Sequence, residues 1–148
     1  MDIRSGYQYP SGELSNFYSH NFIFDGVECN SFEGFIQSIT HKNIERQKEV
    51  CLFVGREAKT KGYKKWFIEN KLYWNGVEYD RDSQEYQDLL DRAYNALYDQ
   101  CKLFRKALAS TIGGTLTHIV GTDKDTLLTR EEFCSRLLIL RDYGKIER

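Results

Sequence analysis

Proline is almost absent: Pro10 is the only one in 148 residues, which argues against long proline-bearing loops. A surplus of charge of either sign is missing too. Lys and Arg number 21 against 22 Asp and Glu, so the net charge is −1. Non-specific nucleic-acid binders draw affinity from phosphate neutralisation and usually carry a basic excess. Any such contact here has to come from a local patch. Lys59, Lys61, Lys64 and Lys65 supply one, with a solvated face as the other reading. The four cysteines, Cys29, Cys51, Cys101 and Cys134, form no Cys-x-x-Cys pair and have no His spaced to complete a zinc pattern. They read as reduced thiols, with no disulfide framework, metal or cofactor expected. No run of 18 apolar residues is present to span a membrane, and Met1 leads into Asp2 and Arg4 with no apolar stretch of a signal peptide. The expectation is a cytoplasmic protein.

Aromatic residues are plentiful at 14%, with ten Tyr and nine Phe, and they suit either a packed core or a stacked ligand. The length fits one domain, residues 1–148, able to bury about 70% of its unfolded surface without staples. Two turn dipeptides, Asp25-Gly26 and Asn75-Gly76, sit between β-prone runs and predict hairpins. Ser31 is placed to cap a helix whose apolar residues, Phe32, Phe35, Ile36 and Ile39, follow the 3.6-residue period to about residue 43. Further helices are expected over residues 45–53 and 65–72, with 55–62 less regular. Asp82 and Glu85 resemble a capping box opening a helix with Tyr86, Leu89, Leu90, Ala93, Tyr94 and Leu97 on one face, broken near Asp99. Thr129 with Glu132 is a second capping box, before a last helix carrying Phe133, Leu137, Leu138 and Leu140. The class is α+β: a predominantly helical single domain with a few short strands.

Within the aromatic stretch of residues 12–38 stands an acid, Glu33. In the first turn after Ser31 a negative charge is favoured by the exposed N–H groups, which explains it without chemistry. The helical wheel adds a second reading. Glu33, Gln37 and Thr40 align about 100° from the apolar face, so Glu33 stands at its boundary and can point into a cleft. The helix start favours its ionised form, and apolar neighbours raise its pKa. Gly34 lets a ligand or another segment approach closely.

Leu14-Ser15-Asn16-Phe17-Tyr18, Asp25-Gly26 and Ser31-Phe32-Glu33-x-x-x-Gln37 together resemble the opening signature of the NADAR (YbiA-like) family. Gly55-Arg56 followed by Trp66, then Tyr98-Asp99-Gln100, Arg105, Thr111, Leu116, Asp123 and Leu137 to Arg141 follow in the family's order. The likeness covers roughly residues 12–142. Departures are Gly34 where the family often has His, Thr40 where it often has Lys, Thr126-Leu127 in place of Trp-Gly, and His118 in place of Glu. Residues 73–79 resemble an insertion.

The resemblance implies hydrolysis of an N-glycosidic bond between ribose C1′ and nitrogen. Two substrates are implied: ADP-ribose on guanine in DNA, whose removal reverses a toxin or defence modification, and ribosylamino-pyrimidine phosphates of riboflavin synthesis. The first is the leading expectation. Cleavage develops positive charge on the ribose, which a carboxylate stabilises or meets with an activated water. Glu33 takes that role. Asp123 is the partner, as acid or ribose ligand, with a plain turn aspartate as the alternative; His118 is a second donor or a structural residue. Asn16 and Gln37 suit ribose hydroxyls or a base edge, Phe17, Tyr18 and Trp66 a stacked base or the pocket wall, and Gly55-Arg56 a phosphate. The implied partner is an ADP-ribosylated nucleobase in DNA or a phosphorylated riboside, with no membrane. The other classes are a non-catalytic ADP-ribose or nucleotide-binding module, and a structural protein with no pocket at Glu33.

Overall fold

Two dipeptide turns set the strands. Asp25 and Gly26 lie at φ 48° and 79°, and Asn75 and Gly76 at 50° and 85°, the paired left-handed conformations of a type I′ turn. The first turn joins β1 (Phe22–Phe24) to β2 (Val27–Cys29), with Phe22 opposite Cys29. The second joins β3 (Lys71–Trp74) to β4 (Val77–Asp80). The computed structural model describes residues 1–118 and 126–147. Within them the hairpins accompany α1 (Ser11–Leu14), α2 (Phe32–Ser38), α3 (Ile44–Val50), α4 (Gly55–Lys59), α5 (Trp66–Glu69), α6 (Gln84–Gln100), α7 (Lys102–Ala109) and α8 (Arg130–Tyr143). The architecture is the expected helical α+β domain.

The last helix follows its sequence signals. Thr129 and Glu132 form the reciprocal capping box of α8, and Gly144 ends it at φ 78°. Other helices depart from theirs. α2 stops at Ser38 rather than near residue 43, where the hydroxyls of Ser38 and Thr40 take the carbonyls of Phe35 and Gln37 at 2.6 Å each. Asn43 then caps α3 through the N–H of Arg46. Asn70, at φ 58°, ends α5 after one turn, so Lys71 and Leu72 join the strand instead of a helix. The cap of α6 is Ser83, which accepts the N–H of Tyr86, and not Asp82; the side chain of Asp82 accepts from Asn70 instead. α1 and the parallel bridge between Asp2 and Thr117 carried no signal in the sequence.

α6 is the spine. Its stripe from Tyr86 to Leu97 is buried, and β1, β4, α7 and α8 pack around it. Tyr94 stacks on Phe32 with ring centroids 3.8 Å apart, which fastens the start of α2 to α6. Phe24, Phe35 and Trp74 form an aromatic cluster joining the two hairpins. Asp25 closes the same junction, accepting from Trp74 Nε1 and Arg92 at 2.9 Å each. On the far side, Arg136 is almost wholly buried and ion-paired to Asp91 at 2.9 Å, and it also donates to both oxygens of Gln87. Gln87 donates to Glu132, which takes a bidentate pair from Arg81 at 2.7 and 3.0 Å. Burial of charge is tolerable only with such complete pairing. All four cysteines are free thiols.

Candidate active site

Ser31 accepts the N–H of Gly34 and donates to the carbonyl of Phe53, which fixes the first turn of α2 against the end of α3. Gly34 is needed for that packing. A Cβ there would meet the backbone oxygens of Phe53, Cys51 and Val50 at 2.7, 3.0 and 3.1 Å. The close approach is therefore made by another segment of the chain.

The N–H of Glu33 points out of the helix and donates to the carbonyl of Asn16 at 3.0 Å. This bond ties the loop after α1 to the acid. The Glu33 side chain is half-buried, and its Oε2 accepts from Gln37 Nε2, one turn on, at 2.7 Å. Gly62 backs the Gln37 amide so closely that a Cβ there would collide with Oε1. Burial pushes the Glu33 carboxyl above its ordinary range, while the Gln37 hydrogen bond and the charges of Lys59 and His118 pull the other way. Desolvation prevails over the helix start. A carboxyl raised in this way accepts a proton more readily than an ordinary carboxylate.

Asn16 is oriented from below. Tyr94 donates its hydroxyl to Asn16 Oδ1 at 3.0 Å. Burial holds that phenol far above its ordinary pKa, against the opposing Asn16 bond, so it remains a donor. His118 has Nδ1 2.8 Å from the carbonyl of Ile3 and stands edge-on to Phe133. A carbonyl only accepts, so Nδ1 carries a proton and donates to it, which leaves Nε2 turned to the other side of the ring.

Glu33, Gln37, Asn16 and His118 line one cleft of about 860 Å³. Of the residues singled out in the sequence, it brings together Glu33, Gln37, Asn16, Phe17, Arg56, Trp66 and His118. Tyr18 and Gly55 are not among its lining residues. The Tyr18 ring packs on His20, and Gly55, at φ 60°, starts α4 beside the carbonyl of Phe17. Asp123 lies outside the described residues. The cleft also takes Arg4, Tyr63, Thr126 and Phe133, which sequence reasoning missed, and Lys59 and Lys64, seen there only as part of a basic patch. Arg4 reaches the cleft through the bridge of the N-terminal segment to Thr117, a pairing with no local signal. Among the described lining residues Glu33 is the one carboxylate, against Arg4, Arg56, Lys59, Lys64 and Arg130. Beyond Trp66 and Thr126 lies a smaller polar hollow of about 580 Å³, in which Arg81 and Glu132 are satisfied by each other. No cluster of three or more metal-ligating side chains occurs among the described residues, and no helix among them is long and apolar enough to cross a membrane.

Comparison with known proteins bears on the family and the fold. The family model of bacteriophage protein GP30.3 matches residues 8–142. A 17.1 kDa protein of the Gp30–rIII intergenic region of Enterobacteria phage T4 is 36% identical over 147 residues, covering 96% of this chain and 97% of its own. The NMR structure of the E. coli protein YbiA superposes with a TM-score of 0.63 at 17% identity, over 96% of this chain and 82% of YbiA. At that identity the likeness to YbiA is one of fold. The chain belongs to the bacteriophage GP30.3 family, a NADAR-type family with the YbiA-like fold.

Proposed function

We propose that this protein is an N-glycoside hydrolase that cleaves a ribose C1′–N bond, with ADP-ribose on guanine in DNA as its substrate. One observation carries the reading: among the described lining residues of the cleft, a single half-buried carboxylate, Glu33, is fixed by Gln37 and the other charged side chains are cations. That arrangement suits a substrate bearing phosphates whose sugar becomes positive as its bond breaks. Arg56, Lys59 and Lys64 offset phosphate charge. Glu33 faces the anomeric carbon, where it stabilises the oxocarbenium-like transition state or removes a proton from the attacking water. Water adds to C1′, the C1′–N electron pair leaves with the base, and the base nitrogen takes a proton. Asp123 gives that proton or holds the ribose hydroxyls. His118, held through Nδ1, offers Nε2 as the alternative carrier. Asn16 binds a hydroxyl with the amide that Tyr94 orients, and Trp66 walls the base side.

The test is product identity. A guanine-ADP-ribosylated oligonucleotide is incubated with the protein and resolved by mass spectrometry. Free ADP-ribose with intact guanine in the strand is the expected result. Release from ribosylamino-pyrimidine phosphates alone would move the same chemistry to riboflavin intermediates. Turnover of neither, with ADP-ribose affinity unchanged by Glu33→Gln, would make the protein a binding module.

A further inference from the structure

Residues 55–66 carry five cationic side chains and one acid, Glu57, a net +4 in a chain whose total is −1. The imbalance is concentrated beside the cleft. Arg56, Lys59 and Lys64 line it, and Lys65 follows directly at the cap of α5. All four are exposed, and among the described residues no acid is salt-bridged to any of them. Lys61 differs, since its ammonium lies over the Phe53 ring at 4.7 Å. Two exposed aromatic rings accompany the cations, Tyr63 between Lys61 and Lys64 and Phe67 just after Lys65. Tyr63 is 52% exposed and lines the cleft, and Phe67 is 44% exposed and edge-on to Trp66. Neither ring is needed for the core. Like charges crowded on 12 residues repel one another, so this segment is costly unless an anion offsets it.

We propose that this α4–α5 edge is a track for single-stranded nucleic acid, leading the modified nucleotide into the cleft. The inference rests on the N-glycosidase reading and adds to it that the substrate is held as part of a strand and not as a free nucleotide. Arg56, Lys59, Lys64 and Lys65 meet successive phosphates, and Tyr63 stacks on the base next to the reacting one. Cations together with solvent-facing rings suit an unpaired strand, because only unpaired bases offer their faces for stacking. A duplex hides those faces and binds more weakly here.

The experiment uses unmodified, fluorescein-labelled oligothymidylate and anisotropy, so it needs no catalysis. With about four phosphates neutralised, the logarithm of affinity falls with the logarithm of salt at a slope of about −3, or about 50-fold between ~50 and ~200 mM salt. Lys64→Glu with Lys65→Glu is expected to weaken binding more than about tenfold at low salt and to flatten the slope to about half. Tyr63→Ala is expected to lose about tenfold with the slope kept, and Tyr63→Phe to restore it. The folded state of each variant is checked by circular dichroism. No binding by wild type at low salt, or equal binding by the Lys64→Glu, Lys65→Glu variant, would overturn the proposal, as would tighter binding to a duplex of the same length. Strand binding without release of ADP-ribose from modified DNA would leave the track standing and remove the hydrolase. Release from a free modified nucleotide without strand binding would do the reverse.

Discussion

Glu33 is destabilised by its surroundings as a charged group. Its ordinary pKa is 4.5, and burial raises it in the folded state against the pull of Gln37, Lys59 and His118. Between those two values the native chain keeps a proton that the unfolded chain has lost, so stability falls as pH rises through that window. Above it the full penalty is present. Glu33→Gln removes the charge and keeps an acceptor for Gln37 Nε2. Thermal unfolding of this variant at neutral pH is expected to lie about 2–4 °C above wild type, for a gain on the order of 1 kcal/mol. The difference should vanish below pH 4.5, where both side chains are neutral. An unchanged or lowered midpoint at neutral pH would mean the carboxylate is well solvated. Residue-scale reading of the sequence reached this far because the boundary position of Glu33 and its alignment with Gln37 follow from helical geometry. It left the role of Gly34 open between ligand and chain. That choice depended on where the end of α3 lies, which no residue near Gly34 encodes.

At the scale of elements, the hairpins were legible because type I′ turns are local: Asp25-Gly26 and Asn75-Gly76 carry their own conformational preference. Helix ends were less so. Asp82 and Ser83 are both good caps, and the tertiary bond from Asn70 to Asp82 leaves the cap of α6 to Ser83. Ser83→Ala is expected to cost about 1 kcal/mol in urea unfolding, in keeping with loss of an N-cap. Asp82→Ala, which loses an exposed hydrogen bond, is expected to cost less. The reverse order would return the cap to Asp82. The early stop of α2 has a similar origin. Ser38 and Thr40 satisfy carbonyls with their own hydroxyls, and Tyr73 donates its N–H to the carbonyl of Ile39, which ends the helix in favour of β3. Periodicity alone extends through such positions.

The cleft is a property of the whole molecule. It draws on the N-terminal segment, the loop after α1, α2, the segment from α4 to α5, His118 and the entry to α8. The ion-paired network behind it does the joining. Arg81 donates to the carbonyl of Thr126 while holding Glu132, and so fastens β4 to the residues that enter α8. Glu33, Gln37, Asn16, Phe17, Arg56, Trp66 and His118 were each visible in the sequence, whereas Arg4 and Tyr63 were not. Their place in the cleft depends on chain segments far from them in sequence. The cationic setting of Glu33 among the described lining residues emerges only when these segments are assembled, and it is the basis for assigning Glu33 to the reaction. The most direct test is the single-turnover rate of ADP-ribose release from guanine-modified DNA by wild type and by Glu33→Gln. Loss of about 10²–10⁴-fold in the variant, with its fold intact, is expected for a carboxylate acting at the anomeric carbon. Equal rates would contradict the assignment of Glu33 and with it the central claim.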